Sequence, residues 1–387
     1  MAIDGVRPSI AGMTENGIVE VAKHAWGREG LIPLWFGEGD MDSPAVAIDA
    51  TIAALHAGQT RYSPTRGVPP ARAAVAAYMS RVHARPVGED RITLAAGGMH
   101  AICLAMQALI DPGDEIVIIH PLWPNGDSAT EIVGGVRKHV SLKLTGDRWH
   151  LDMDALRSAC GPKTKAIYVN TPNNPTGWVM SRDEMVDLLA FTRQHGIWIL
   201  SDEVYGRITY DGRPAPSFID IAEPEDRVIA FYTFSKNWAM TGWRLGWLAA
   251  PPSLAQVFEN LTQFSTTGVA PFLQAGAAAV MEGGEPQCQA MVKMCDTGRK
   301  IVSQALSQLP NIHYAPPAGA FYAFFAVEGR KDSKALALDI IERANVGLAP
   351  GSAFGVGGEG YLRLCFASSA EMLSQAADRL LPVLRSA

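Results

Sequence analysis

The sequence predicts an α/β protein built on a largely parallel sheet, with a smaller α+β unit after it. Three observations carry this expectation. Short apolar, β-rich runs alternate with helical patterns through the middle of the chain, the arrangement that covers a parallel sheet with helices. From about Ala275 that alternation gives way to a long helix, a Pro316-Pro317 turn, a single β-like run and further helices. The 387 residues exceed what one hydrophobic core usually organises, and at about 150 residues per domain they point to two units.

The β-rich runs are Glu115–His120, Lys165–Asn170, Ile197–Asp202, Val228–Phe234 and Leu245–Ala249. Met99–Leu109, rich in alanine, leucine and methionine, has the composition of a packed helix. Arg182–His195 reads as a helix opened by Ser181 as N-cap, with Glu184 three residues on, and stopped by Gly196. In the later unit, helices are expected around Cys288–Leu309 and near Glu371–Arg385, with a β-like run at Ala320–Val327 between them. The segment before Pro44 does not join the sheet pattern and is expected to pack with the C-terminal unit. The predicted division is therefore 1–45 for an N-terminal arm and part of the small domain, 46–280 for the large domain, and 281–387 for the small C-terminal domain.

Composition narrows the partners. No apolar run approaches the roughly 20 residues of a membrane span. Met1-Ala2-Ile3-Asp4-Gly5-Val6-Arg7 lacks the basic-then-apolar order of a signal peptide, so a cytoplasmic protein without membrane contact is expected. A formal charge of −6 with no run of Lys or Arg argues against nucleic acid. The five cysteines are scattered, odd in number and never in a C-x-x-C pair, which suggests neither a disulfide framework nor a zinc site. The nine histidines show no H-x-x-x-H spacing, and no catalytic metal is expected.

Chemistry concentrates at strand ends. Thr233-Phe234-Ser235-Lys236-Asn237-Trp238-Ala239-Met240-Thr241-Gly242-Trp243-Arg244-Leu245-Gly246 joins two predicted strands, with Lys236 directly after the first. An aldehyde cofactor needs one reachable amine of lowered pKa to form a Schiff base, and a lysine at a partly buried strand edge supplies it. The hydroxyls of Thr233 and Ser235 and the guanidinium of Arg244 are spaced to grip a phosphate at the same place. Asn170-Thr171-Pro172-Asn173-Asn174-Pro175-Thr176-Gly177 follows a strand and precedes a helix, where ligand loops of open α/β sheets collect. Turn chemistry explains its prolines and glycine equally well. In Ile199-Leu200-Ser201-Asp202-Glu203-Val204-Tyr205 an acid ends a nearly continuous apolar strand. Such a carboxylate either keeps the nitrogen of a pyridine ring protonated or caps the following helix.

These three strings resemble the class I/II aminotransferases of the fold-type I pyridoxal-phosphate family, aspartate-type members included, and the resemblance covers nearly the whole chain. It implies a large domain with a mostly parallel seven-stranded sheet that binds pyridoxal 5′-phosphate, plus a smaller α+β domain. It also implies that Lys236 carries the cofactor, Arg244 binds its phosphate, Asp202 faces the pyridine nitrogen, and Asn174 and Tyr205 bond the phenolic oxygen. Ala95-Ala96-Gly97-Gly98-Met99-His100-Ala101 puts glycines at a strand-to-helix turn, and the family's phosphate loop falls there, through the Gly98 and Met99 amides. Trp123, in His120-Pro121-Leu122-Trp123-Pro124-Asn125, matches the ring stacked on the cofactor, and is otherwise a core residue. Arg61-Tyr62-Ser63-Pro64-Thr65-Arg66-Gly67 resembles the segment whose tyrosine reaches the neighbouring subunit's phosphate, so Tyr62 implies a homodimer with shared sites.

A substrate α-carboxylate calls for a planar two-pronged donor. Tyr361-Leu362-Arg363-Leu364-Cys365-Phe366-Ala367 resembles the family's arginine segment and gives Arg363 that role, although its alternation also fits an exposed strand face. Leu34-Trp35-Phe36-Gly37-Glu38-Gly39-Asp40 resembles the substrate loop, with Gly37 offering backbone. The implied reaction moves the amino group of an α-amino acid to an α-keto acid by a ping-pong Schiff-base route, with Lys236 as proton carrier and Asp202 and Tyr205 assisting. Substrate contacts are assigned to Gly37, Trp123, Asn174 and Arg363. Met99 stands where some aspartate-type relatives place lysine, and no distal arginine is evident. With Trp35, Phe36, Trp123 and Trp178 in or beside the motifs, a neutral or apolar substrate is expected over a dicarboxylic one. The alternatives are an aspartate transaminase, a C–S β-lyase using the same residues, and a cofactor-binding regulator without turnover.

Overall fold

A computed structural model describes residues 5–386. Positions 1–4 of the expected arm and position 387 of the expected small domain lie outside the described residues. Seven strands organise the larger part: β1 (Ile92–Ala95), β2 (Glu115–His120), β3 (Val136–Ser141), β4 (Thr164–Asn170), β5 (Trp198–Asp202), β6 (Val228–Thr233) and β7 (Gly246–Ala249). They form one sheet in the order β1-β7-β6-β5-β4-β2-β3. Strand β7 runs against both of its neighbours, and every other pairing is parallel.

The sequence explains why these runs became strands. β2, β4, β5 and β6 are almost wholly buried, the state of parallel strands covered by helices on both faces, so their apolar runs are continuous. β3 escaped the sequence reading, and β1 entered it only as the strand end implied before the Gly97-Gly98 turn, for opposite reasons. β1 is only four residues long, and β3 carries exposed Arg137, Lys138 and His139, charges that suit an open sheet edge and hide the β pattern.

The helix Gly98–Leu109 follows β1. Helix Arg182–His195 has the bounds expected of it: the Ser181 hydroxyl accepts from the Glu184 amide, the Glu184 carboxylate accepts from the Ser181 amide, and Gly196 ends the helix at φ 68°. Helix Ala45–His56 packs on Pro271–Gly283. The later long helix runs Glu285–Leu306, slightly ahead of expectation because Pro286 stands in its first turn, where proline costs no hydrogen bond. It packs on the last helix, Ala370–Arg385.

A second sheet, of four strands, is ordered Ile312–Tyr314, Tyr322–Val327, Tyr361–Cys365, Ala349–Pro350. The N-terminal segment meets this later part. Ile32–Pro33 pairs in parallel with Val346–Gly347, and helix Gly17–His24 packs against Ser333–Ala344 and Ala349–Pro350. Among the described residues no helix is long and apolar enough to cross a membrane.

Candidate active site

Strands β1, β2, β4, β5 and β6 end at one edge of the sheet, and β7, running the other way, begins there. Ligands of open α/β sheets bind in the crevice outside such an edge, because each connection leaving it can deliver a side chain. Here β1 delivers Gly98 and Met99, β2 delivers Trp123, and β4 delivers Asn174. Asp202 ends β5, with Tyr205 just beyond; Thr233 ends β6, with Ser235 and Lys236 on the turn after it, and Arg244 stands two residues before β7. All of these, with Gly37 and Arg363 from the segments around the small sheet, line one cavity of about 370 Å3.

Lys236 follows Thr233 on a single helical turn, Phe234–Asn237, capped by the Thr233 hydroxyl, which accepts from the Ser235 amide at 3.1 Å. Its Nζ donates to the Gly37 carbonyl at 2.6 Å. Burial, with the nearby Arg363 charge adding to it, pushes the amine down to about 8. Asp202 is 4% exposed. Burial raises its carboxyl to about 6, against the opposing hydrogen bonds from the Tyr168 hydroxyl at 2.8 Å and the Val204 amide at 3.3 Å.

Between the two sheets runs a polar chain. Arg363 donates from Nη1 to Asn174 Oδ1 at 3.0 Å and from Nη2 to the Trp35 carbonyl. Asn174 Nδ2 donates to the Tyr205 hydroxyl at 3.5 Å, and the Tyr205 and Tyr322 hydroxyls share a hydrogen bond of 2.8 Å. The Arg363 guanidinium lies 4.4 Å from the centre of the Tyr322 ring. Its Nε has no partner among the described residues although Arg363 is 2% exposed, so one prong of a buried fork remains to be bonded. Gly37 must be glycine here, since a Cβ would come 2.1 Å from the Tyr322 hydroxyl.

A third corner gathers anion donors. Gly97 has φ +92°, and a Cβ on it would stand 2.6 Å from Arg244 Nη2, so the turn into the Gly98 helix and the guanidinium meet closely. The Thr233 and Ser235 hydroxyls are 3.0 Å apart beside them, and Gly98 lies at the start of a twelve-residue helix, whose leading amides are unpaired donors.

Not every expected residue reaches the cavity. Tyr62 is 94% exposed and does not line it. Trp35 and Trp178 are corrected to core residues: both are buried and neither lines the cavity, while Phe36 and Trp123 do. Trp35 is turned away because its ring covers Gly347, where a Cβ would collide with it at 2.1 Å. The sequence reading missed Tyr322, Asn170, Asn125 and the Asn16, Ile18 and Val19 wall. It also missed Tyr168, which had a signal: a hydroxyl inside a continuous apolar strand requires a buried partner, and the neighbouring strand offers Asp202.

Residues 32–380 match the family model described as "Aminotransferase class I and II". The chain is 30% identical over 357 residues to an aspartate aminotransferase of Geobacillus stearothermophilus, covering 90% of each. It is 33% identical over 368 residues to aromatic-amino-acid aminotransferase 2 of Thermococcus litoralis, covering 93% of each. Among solved structures, a Thermus thermophilus aspartate aminotransferase mutant superposes with a TM-score of 0.92 at 29% identity, over 98% of this chain and 100% of that one. An alanine aminotransferase from Pyrococcus furiosus does so with 0.92 at 27% identity, over 99% and 100%. Those proteins are named for aspartate, aromatic amino acids and alanine, so what they hold in common is amino transfer itself, and this chain belongs to their family, the class I and II aminotransferases.

Proposed function

We propose that this pyridoxal-phosphate-dependent aminotransferase exchanges amino groups between a neutral or apolar α-amino acid and an α-keto acid, with Lys236 holding the cofactor. The observation that carries the reading is a half-buried lysine whose amine has a lowered pKa and a buried carboxylate on one cavity wall, with a corner of anion donors beside them. That set fits the cofactor's functional groups. Lys236 offers an amine of lowered pKa for the aldehyde; Asp202 offers a desolvated anion for a ring N–H; Arg244, Thr233, Ser235 and the Gly98 and Met99 amides offer donors for the phosphate. When bound, the cofactor supplies a protonated ring that draws electron density from the substrate α-carbon.

The residues supply the rest. Trp123 would cover one face of the ring and exclude water, and Asn174 and Tyr205, which line the same cavity, would hold its phenolic oxygen. Tyr322 fixes the Tyr205 hydroxyl. Arg363 receives the substrate α-carboxylate through its unpartnered Nε and an adjoining N–H, and the Gly37 backbone borders the same place. The free Lys236 amine would take the proton from the α-carbon; an amine at about 8 is partly neutral at physiological pH and can accept it. Lys236→Ala should abolish both turnover and borohydride-fixed cofactor; a variant that still transaminates would remove Lys236 from the role.

For the substrate side chain, Ile18, Val19, Phe36 and Trp123 form apolar wall. The cationic residues lining the cavity within one chain are Lys236, Arg244 and Arg363, each already given a task. The aspartate reading is favoured by the names of the Geobacillus and Thermus proteins. Steady-state rates over a panel of donors separate the two: aspartate far ahead of aliphatic and aromatic amino acids refutes the apolar preference.

The same reading takes the working unit as a homodimer in which Tyr62 serves the partner's phosphate site, supported by its exposure and by its absence from the lining of its own chain's cavity. It divides the chain at 1–45, 46–280 and 281–387, supported by the pairing of Ile32–Pro33 with Val346–Gly347 and the packing of Pro271–Gly283 on Ala45–His56.

A further inference from the structure

His120, Asp127 and His139 are separated by 7 and 12 residues in sequence, a spacing no short metal motif contains, yet their side chains meet. His120 ends β2, Asp127 is on the helix Asn125–Ile132, and His139 is on the edge strand β3. We propose that these three side chains bind one divalent first-row transition cation at a site separate from the amino-transfer chemistry.

The donor set is two imidazoles and one carboxylate, which suits Zn2+ or its neighbours and leaves a position for water. The donors already converge. His120 Nε2 lies 3.1 Å from Asp127 Oδ2, and His139 Nε2 lies 3.1 Å from Asp127 Oδ1. All three donor atoms fall within 4.8 Å of one another. Tetrahedral zinc at about 2.0–2.1 Å from its ligands sets those ligands about 3.3 Å apart, so the cation needs only small side-chain shifts. To ligate through Nε2 each imidazole must be neutral with its proton on Nδ1, which leaves the Nε2 lone pair for the cation.

The imidazole of His120 is fixed before any cation arrives. It is 1% exposed, and a Cβ on Gly355 would stand 2.7 Å from its Nδ1 and Cε1, so the glycine leaves room for the ring and little more. Asp127 and His139 side chains are 13% and 27% exposed, which leaves a way in from the sheet edge. Asp127 also lines a second cavity of about 370 Å3. The location has a consequence for the amino-transfer site. Trp123 and Asn125 lie on the turn between His120 and Asp127 and line the first cavity, so a bound cation would pin both ends of that turn to β3.

The test is titration of Zn2+ into chelator-treated holoenzyme, whose cofactor site is filled, by calorimetry, with thermal unfolding alongside. One site per chain and a higher Tm with zinc are expected. Removing a partner of a metal's ligand commonly costs 10–100-fold in affinity, so His139→Gln, which removes a ligand, should weaken zinc by more than about tenfold, and Asp127→Asn likewise. Both metal-free variants should melt as cooperatively as the parent. Absence of saturable binding to the parent, or parent-like binding by His139→Gln, overturns the site. If Asp127→Asn fails to fold, His139→Gln decides alone, its side chain lying on the exposed edge strand.

Discussion

Burial is what makes Lys236 reactive and what makes Asp202 costly. With the amine brought down from 10.5 to about 8, the fraction able to attack an aldehyde rises through that pH. Covalent capture of pyridoxal phosphate, trapped with borohydride at a series of pH values, should therefore be half-maximal near 8; a midpoint near 10 would mean that the amine is solvated. Asp202 works in the other sense. Its folded value of about 6 lies above the ordinary 3.8, so the folded chain holds a proton that the unfolded chain has released. The associated stability is fully present below the unfolded value and is lost as pH rises through about 6. Two pH units correspond to roughly 3 kcal/mol. Cofactor-free Asp202→Asn should therefore gain Tm over the cofactor-free parent at pH 8 and gain less at pH 5, while losing turnover in the presence of cofactor. A difference in Tm that does not change with pH would show that Asp202 is not ionising in this range.

At the scale of elements, the turn from β1 into the Gly98 helix decides how the phosphate corner is held. Gly97 sits at φ +92° against Arg244, a conformation that costs a side-chain-bearing residue about 1–3 kcal/mol before any collision is counted. Gly97→Ala should leave helix content by circular dichroism unchanged and raise the cofactor's dissociation constant more than about tenfold; unaltered affinity would separate this turn from the phosphate. The same scale shows what a sequence discloses. The capping box of Ser181 and Glu184 was legible because all of its partners lie within three residues. The central strands were legible because parallel strands buried on both faces are continuous apolar runs. Edge strand β3 was not, since its charges answer to solvent. Tyr322 was not either, because its partner Tyr205 is 117 residues away and a tyrosine among phenylalanines reads as core. Trp35 and Trp178 misled for the converse reason: an aromatic beside a motif is placed by the packing of other elements, here Gly347 in the case of Trp35.

At the scale of the whole molecule, helix Ala45–His56 is turned in an unusual sense. It buries the small residues Ala47, Thr51 and Ala54 and exposes Val46, Ile48, Ile52 and Leu55. The buried face approaches helix Pro271–Gly283 so closely that a Cβ on Gly276 would meet the Thr51 hydroxyl at 2.4 Å. The exposed face carries Ile48, Ile52 and Leu55 at i, i+4 and i+7, one continuous stripe, and such stripes mark association surfaces. Phe264, 86% exposed, and Tyr62 add further uncovered aromatic surface. In the homodimer proposed above, a second copy of the chain would cover this surface and, in a two-fold arrangement, receive what it gives, and each Tyr62 would complete the other protomer's phosphate corner. Ile52→Glu puts a charge in the middle of the stripe without touching the cavity. It should yield a folded monomer by light scattering, with cofactor affinity and turnover falling together as the partner's tyrosine is withdrawn. Tyr62→Phe should lower cofactor affinity while the dimer persists. A monomeric Ile52→Glu with the parent's affinity and turnover would mean that each chain completes its own site.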